Sequence, residues 1–229
     1  MTGRLSGTGT ALRLAVLLCC LRVMPFCVAG EQQYEPLSAS VRAVMHGSVA
    51  DRASPRLTFA SQAEGAAWLA EMSKRLMKYI PDDIARQDFL VTVQYEATRA
   101  GLDPQLVLGV IHVESRFRKY AVSKAGARGY MQVMPFWTKL IGDEDQNLFN
   151  LRTNLRYGCT ILRHYLAIER GDTFRALGRY NGSLGKSRYP DNVMRALTAN
   201  WNYEPGRSQI VITPTRYMGE PVSRPSDRR

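Results

Sequence analysis

Apolar residues recur at helical spacing along most of this chain, and no segment shows the strict alternation of a long β-strand. This pattern predicts helices at about 61–80, 82–100, 104–115, 135–141, 153–168, 173–180 and 192–199. Asp103-Pro104 strengthens the third of these, because it offers an N-cap followed by a proline at the first helical position. With 229 residues and 45% hydrophobic content, the chain can bury one ordinary core. We therefore predict a mainly α fold built around a single helical domain.

The N-terminus has the pattern of an export signal. Arg4 and Arg13 precede the apolar run 14–21, and small residues ending at Ala29 offer a cleavage point before Gly30. Arg22 keeps the run shorter than the ~20 apolar residues of a transmembrane helix. An uncleaved N-terminal tether is the alternative.

Composition divides the chain into four parts. We expect a signal peptide at 1–29, a loosely structured arm with at most a short helix at 30–60, the helical domain at 61–203, and a flexible basic tail with prolines at 204–229. Three of the four cysteines lie in the signal, so Cys159 alone remains. A single cysteine predicts no internal disulfide and no thiolate metal site, and its apolar surroundings favour a buried thiol.

The formal net charge of +11 narrows the range of partners. Removing the signal with its three arginines leaves +8 (11 − 3). A basic surface suits nucleic acid, anionic lipid or an acidic polymer. The basic residues are scattered among acids and no nucleic-acid-binding motif occurs, so we expect no nucleic-acid partner. The simplest interpretation is a solvated basic surface.

One acidic residue lies on the apolar face of its predicted helix. Val107, Val110, Ile111 and Glu114 follow the i, i+3, i+4, i+7 spacing of one helical face, and the first three are core residues by the usual rule. Burial would favour the neutral form of Glu114 and raise its pKa towards that of a general acid. The competing interpretation is a carboxylate at a helix end, paired with the arginine at 116 or 118.

Other catalytic groups are less well supported. Glycoside cleavage normally uses two carboxylates unless the substrate supplies its own nucleophile. Asp143, Glu144 and Asp145 are candidates for the second one, but such a run of charges usually forms a solvated loop. The three histidines are too dispersed for a metal site, and His112 points away from the face of Glu114. We predict neither a metal nor a cofactor.

Four separated motifs occur in the order found in one known family. They are Glu114-Ser115 with Ser123; Gly126-Ala127-Arg128-Gly129-Tyr130-Met131-Gln132-Val133-Met134-Pro135; Asn154 with Gly158; and Tyr180-Asn181-Gly182 followed by Tyr189-Pro190. Over about residues 90–200 the chain resembles the soluble lytic transglycosylases, glycoside hydrolase family 23. It departs from them at Tyr130, where Leu is common, and at Gly182-Ser183, where Ala-Gly is usual.

The resemblance implies a lysozyme-like domain, mainly α with minimal β-structure, that binds glycan in a cleft. Its members cleave the bond between N-acetylmuramic acid and N-acetylglucosamine in peptidoglycan. By similarity Glu114 is the single acid/base: it protonates the glycosidic oxygen and then removes the proton from the muramic C6 hydroxyl. That hydroxyl closes a 1,6-anhydro ring, with assistance from the acetamido group, so no second carboxylate is required.

The resemblance also assigns substrate-binding residues by position. Ser123 and Gln132 would hydrogen-bond the substrate or position the acid. Met131 and Met134 would line the cleft, although methionines at such positions are as often part of the core.

The C-terminal motifs supply the remaining roles. Tyr180 would hold Glu114 or the acetamido region, and Asn181 would support its loop. Tyr189 is expected to stack on or hydrogen-bond to the site, whereas Asn154 is expected to be structural.

Taken together, the sequence predicts an exported, monomeric enzyme of the bacterial periplasm whose partner is the peptidoglycan glycan strand. Proximity to the membrane and a partner in an envelope complex stay open. Two rivals remain: a hydrolytic lysozyme of the same fold, with Asp143 or Asp145 as base, and a catalytically silent peptidoglycan-binding module.

Overall fold

The computed structural model describes residues 32–204, so the predicted signal and almost all of the predicted tail lie outside the described residues. Within that range the chain forms eight α-helices, one π-helix and no β-strand, which confirms the mainly α prediction. The helices are α1 (Ala39–Ala50), α2 (Gln62–Leu76), α3 (Asp83–Arg99), α4 (Pro104–Glu114), α5 (Phe136–Ile141), α6 (Leu151–Ile168), α7 (Thr173–Tyr180), α8 (Arg188–Ala196) and the π-helix (Leu197–Trp201). No helix between residues 32 and 204 combines the length and the apolar character needed to cross a membrane.

Helix boundaries follow the capping signals closely. The Asp103 side chain accepts a hydrogen bond from the backbone N–H of Gln105 at 2.8 Å, which caps α4 as expected. The last predicted helix is displaced, because α8 begins at Arg188 and Pro190 fits its first turn. Its predicted end at 199 falls inside the π-helix.

The segment before residue 61 is more ordered than predicted. It contains the 12-residue helix α1, which is capped by the Ser38 side chain and packs against α5 and α6. Val41, Met45 and Val49 are spaced four apart, so they face the same side of this helix. Met45 and Val49 are buried in the main hydrophobic core. The sequence allowed at most a short helix in this segment. The structure contains one, and its apolar stripe is covered by the rest of the domain.

Helix α4 lies at the centre of the domain. It packs against α3, α8 and the π-helix, and its residues 106–111 are buried on every side. A helix that is apolar all round is stable only inside a protein, where each large side chain gains ~1.5–3 kcal/mol from burial. The core therefore fixes the direction of α4 and carries its final residue, Glu114, into the interior.

A buried ion cluster joins α3 to α6. Glu96 is fully buried and accepts hydrogen bonds from Arg156 at 2.7 Å and from Arg99 at 3.0 Å. A buried carboxylate needs such partners, because removing one of them leaves an uncompensated charge. This cluster holds α6 in the position from which it contacts the site.

Candidate active site

The backbone turns sharply where α4 ends. Arg116 and Phe117 both have left-handed backbone conformations, with φ of 52° and 63°. Two consecutive non-glycine residues in this region store strain that the surrounding structure must hold, and such residues cluster at functional sites. The Phe117 ring packs against Tyr79 at 4.9 Å and Trp201 at 5.1 Å between centroids, which holds the turn in place. The helix therefore stops at the carboxyl group instead of continuing past it.

Glu114 is buried, and its carboxyl group accepts a hydrogen bond from a tyrosine hydroxyl. Its side chain is 6% exposed, and the Tyr189 hydroxyl donates to Oε1 at 2.6 Å. Burial raises the pKa of Glu114 to about 8, and the Tyr189 hydrogen bond opposes part of that rise. The carboxyl is thus protonated at neutral pH and below, as a general acid must be.

The alternative ion pair at the helix end is not formed. Arg118 instead donates to the backbone carbonyl of Ser115 at 3.0 Å. None of the ion pairs between residues 32 and 204 includes Glu114. Because no cation among the described residues pairs with its ionised form, burial dominates the protonation state of this group.

The Gly-containing loop after α4 is held by its own side chains. Ser123 accepts a hydrogen bond from the Ala127 backbone N–H at 3.0 Å and so closes a tight turn. Gln132, with φ of 49°, donates its side-chain amide to the carbonyls of Ala121 at 3.1 Å and Gly129 at 2.9 Å. The structure therefore gives both residues a part in shaping the loop, and neither hydrogen-bonds to Glu114.

Met131 belongs to the core, whereas Met134 is only partly buried. Met131 is fully buried; its N–H donates to Asn154 Oδ1 at 2.8 Å and its carbonyl accepts from the Tyr180 hydroxyl at 2.7 Å. Asn154 also donates to two backbone carbonyls, which gives it the structural role that we expected. Of the two methionines, Met134 keeps the partial exposure that a lining residue needs.

The two tyrosines contact different parts of the site. Tyr180 donates to the backbone of Met131, so it orders the loop segment, while Tyr189 is the hydrogen-bond donor to Glu114. Tyr180 still lies near the acid, because burial and then the charge of Glu114 raise the pKa of its phenol well above the usual range. The next residue, Asn181, is buried, and its Nδ2 has no hydrogen-bond partner in the described part of the chain.

One residue of the site was missed by the sequence analysis. Gln32 is 4% exposed, and its Oε1 accepts hydrogen bonds from the Trp137 indole at 2.9 Å and from the Met134 backbone at 3.2 Å. The Gln32 amide also interacts with the Tyr180 phenol and opposes part of the rise in its pKa that burial causes. An isolated glutamine in a polar stretch carries no local signal of such a position.

The other acidic candidates lie on the surface. Asp143, Glu144 and Asp145 are exposed, and Glu144 forms an ion pair with Lys139. Exposed carboxylates of this kind are solvated and contribute little to a buried site. Tyr130, the first departure from the family pattern, packs its ring on Phe89 with centroids 4.9 Å apart.

Comparison with known proteins shows which family the chain is similar to. Residues 92–202 match the profile described as "Transglycosylase SLT domain". The chain is 33% identical over 139 residues to a protein named "Transglycosylase" from Enterobacteria phage PRD1, covering 58% of this chain and 49% of the phage protein.

Bacterial proteins with transglycosylase names are also similar to the chain. Over 149 residues the chain is 43% identical to a "Membrane-bound lytic murein transglycosylase C" of Glaesserella parasuis, covering 57% of this chain and 41% of the relative. The protein of that name from Mannheimia succiniciproducens is 40% identical over 137 residues, which is 53% of this chain and 37% of the relative. The chain thus spans less than half the length of each of these relatives.

Proposed function

We propose that this chain, which belongs to the transglycosylase SLT family, cleaves the glycan strands of peptidoglycan in the bacterial cell envelope as a lytic transglycosylase. One observation carries the proposal. Glu114 is a buried carboxyl whose pKa is raised to about 8, and its hydrogen-bond partner is a neutral tyrosine rather than a cation. Such a group keeps its proton at the pH of the envelope and can donate it to a glycosidic oxygen.

The reaction that fits a single carboxyl group takes place in two proton transfers. Glu114 first donates its proton to the glycosidic oxygen, and the bond from that oxygen to the muramic C1 breaks with assistance from the acetamido group. The Glu114 carboxylate then removes the proton from the C6 hydroxyl, whose oxygen bonds to C1 and forms a 1,6-anhydro end. The acid is regenerated, and no water is consumed.

The neighbouring residues support this assignment by position. Tyr189 holds the carboxyl group through Oε1, and Tyr180 and Gln132 fix the loop beside it. The buried Nδ2 of Asn181 has no hydrogen-bond partner among residues 32–204. An unpaired buried donor costs free energy that a substrate acceptor can recover, and the hydroxyl and acetamido oxygens of a glycan are such acceptors.

The exposed positions of the other acids favour this reaction over hydrolysis. An inverting hydrolase needs a base ~6.5–9.5 Å from the acid, and a retaining one needs a nucleophile ~5–5.5 Å away. Asp143 and Asp145 are solvated and do not contribute to the pKa of Glu114. A substrate that supplies its own nucleophile removes the need for either.

Digestion of purified cell-wall sacculi distinguishes the three candidate functions. The protein comprising residues 30–229 and its Glu114→Gln variant are each incubated with sacculi, and the soluble products are identified by mass spectrometry. We expect 1,6-anhydro-muropeptides from the wild type and none from the variant.

Two other outcomes of this digestion would contradict the proposal. Reducing-end products would replace the proposal with hydrolysis. Binding to sacculi without any products would indicate a silent binding module.

A further inference from the structure

The residues 32–37, called the N-terminal strap below, contact two of the helices around the site before α1 begins. The Tyr34 ring packs edge-on against Phe136 of α5, with the ring centroids 5.7 Å apart. The Glu35 carboxylate pairs with Arg179 of α7 at 3.1 Å. The strap therefore joins α5 to α7, although the family profile does not include it.

Gln32 is the buried end of the strap, and its hydrogen bonds determine which way its amide points. Its Oε1 lies 2.9 Å from the Trp137 indole nitrogen and 3.2 Å from the Met134 backbone nitrogen. Both of these nitrogens can only donate, so the amide atom that meets them must be the oxygen. The amide nitrogen is then the end that interacts with the Tyr180 phenol. That interaction opposes the rise in the phenol pKa, as an N–H group donating to the phenol oxygen does.

Tyr180 connects Gln32 to the loop beside the acid. Its hydroxyl donates to the Met131 carbonyl at 2.7 Å, and a hydroxyl oxygen can accept a hydrogen bond while its proton is donated. Burial, and then the charge of Glu114, raise the pKa of this phenol, so the contact lies within electrostatic reach of the acid. Gln32 thus holds the loop at two points, at Met134 directly and at Met131 through Tyr180.

We infer that Gln32 is a positioning residue for the reaction at Glu114, because it holds the loop segment 131–134 in the place from which Met134 lines the site. The inference rests on the proposed function and adds to it a residue from outside the family match. No hydrogen bond within residues 32–204 joins Gln32 to Glu114, so its effect on the reaction is indirect. Small displacements of positioning groups reduce rates strongly, by on the order of 100-fold for about 1 Å.

Removal of the amide is the first test. Gln32→Met keeps the length of the side chain and loses its hydrogen bonds, and it is made in the protein comprising residues 30–229. With soluble glycan strands of peptidoglycan as substrate, we expect kcat to fall on the order of 10- to 100-fold. KM should change little, since the lost effect is realised in the transition state. The next residue, Gln33, is exposed, so Gln33→Met is the matched control and should keep the wild-type kcat.

Gln32→Glu is the more specific test, because a protonated carboxyl group has the hydrogen-bonding pattern of the amide. Its carbonyl oxygen accepts and its O–H donates to Tyr180. The ionised group can only accept, so the Tyr180 hydroxyl turns to it and leaves the Met131 carbonyl without its donor. Burial raises the pKa of such a carboxyl group into the range of the assay. The ratio of variant to wild-type kcat should be close to one at about pH 5 and fall on the order of tenfold by about pH 8.

Other titratable groups face the strap from α6 and α7. Burial raises the pKa of Tyr165 and of Tyr180, so both phenols stay neutral throughout the assay. Burial also lowers the pKa of His164, and Glu35 forms its ion pair with Arg179. All of these groups are present in both proteins, so their own titration cancels in the ratio of rates.

The controls separate positioning from charge and from packing. Gln33→Glu adds the same acid at the exposed neighbour and should keep a ratio close to one at both pH values. Thermal unfolding at both pH values shows that each variant is folded. A wild-type kcat in Gln32→Met overturns the inference. So does a ratio for Gln32→Glu that is the same at pH 5 and pH 8, because a packing role does not depend on the protonation of the new group.

The result can be distinguished from that of the proposed function. Rates are counted as all glycan fragments released, and the ends of the fragments are identified separately by mass spectrometry. Reducing ends from the wild type, with a slower Gln32→Met, would refute the anhydro reaction and support the role of Gln32. Anhydro ends with an unchanged Gln32→Met would refute the role of Gln32 alone.

A spectroscopic measurement checks the geometry without turnover. The chain has three tryptophans, so the indole N–H signal of Trp137 can be resolved by NMR. Loss of its acceptor in Gln32→Met should move that signal upfield, whereas Gln33→Met should leave it unchanged. An indole signal that does not move in Gln32→Met would overturn the inference.

Discussion

At the scale of single residues, the unusual property of this protein is a carboxyl group that has little access to water and forms no ion pair with any cation in the described range 32–204. Glu114 is buried, and desolvation by the surrounding core disfavours its charged form. The Tyr189 hydroxyl supplies the opposing effect, because a hydrogen bond to the carboxylate stabilises that form. The balance keeps the group protonated up to about pH 8.

This balance predicts how stability changes with pH. The unfolded chain loses the Glu114 proton near pH 4.3, whereas the folded chain keeps it up to about pH 8. Between these values the folded state binds more protons, so the wild-type free energy of unfolding falls as pH rises. We expect Glu114→Gln to match the wild type near pH 4 and to exceed its stability by about 2–4 kcal/mol at pH 8. Denaturant unfolding at both pH values measures this, and an equal difference at both would contradict a raised pKa.

Tyr189 should control the alkaline limb of the activity profile. Its hydrogen bond lowers the pKa of Glu114, so Tyr189→Phe should raise that pKa and move the alkaline fall of kcat/KM to higher pH. Turnover should also drop on the order of tenfold, because the carboxylate loses a donor in the second proton transfer. The profile is recorded on sacculi between pH 5 and 10. Tyr95→Phe serves as a control, since Tyr95 is a buried tyrosine in α3, and its limb should not move.

At the scale of elements, the site is assembled by contacts from α6 and α7 to the loop that follows α4. Gly158 in α6 lies so close to Met131 that only glycine fits there. A Cβ at this position would lie 2.7 Å from the Met131 Cβ. Asn154, one helical turn earlier, binds the Met131 N–H, and Tyr180 in α7 binds its carbonyl. Three different kinds of contact thus fix one residue of the loop.

Substitution of Gly158 should therefore be harmful even though alanine favours helices. We expect Gly158→Ala to destabilise the protein by about 1–3 kcal/mol and to reduce activity, since Met131 is fully buried and cannot move aside freely. Gly47→Ala is the matched control, because nothing lies within 4 Å of a Cβ at that position of α1. It should be neutral or stabilising by up to about 1 kcal/mol. Equal thermal unfolding of the two variants would show that the Met131 contact is unimportant.

At the scale of the whole molecule, the segment before residue 61 is part of the domain that holds the site. α1 buries Met45 and Val49 in the same core as α4 and α6, and Gln32 bonds to the Met134 backbone. The 92–202 match to the family profile excludes this segment. It nevertheless supplies one face of the core and one contact at the site.

A pair of adjacent substitutions tests how far the core extends. Met45 is buried and Val44 is 51% exposed on the same helix. We expect Met45→Ala to cost about 2–5 kcal/mol, by loss of buried surface and creation of a cavity, and Val44→Ala to cost less than about 0.5 kcal/mol. Chemical denaturation of both variants measures the difference. Similar small costs would mean that α1 is only loosely attached.

The sequence by itself determined the features that depend on residues close together in the chain, such as the boundaries of α4. Helical periodicity, the cap at Asp103 and the end of the apolar face located α4 and identified Glu114 as an unusual carboxyl group. The order of the motifs pointed to the family. The sequence allowed at most a short helix before residue 61 and did not locate α1, because a helix of this length is stabilised mainly by what covers it.

Only the tertiary structure decided which distant groups meet. Glu114 and Tyr189 are 75 residues apart, and Gln32 lies 102 residues before the Met134 backbone that it contacts. The sequence could name both tyrosines, but it could not say that Tyr189 bonds to the acid and Tyr180 to the loop. Hydrogen bonds depend on ångström-scale geometry, which is set by how the helices pack and not by spacing along the chain. For the same reason the raised pKa of Glu114 and its cause, burial, could be expected from its helix face, but the opposing hydrogen bond from Tyr189 became clear only in the folded domain.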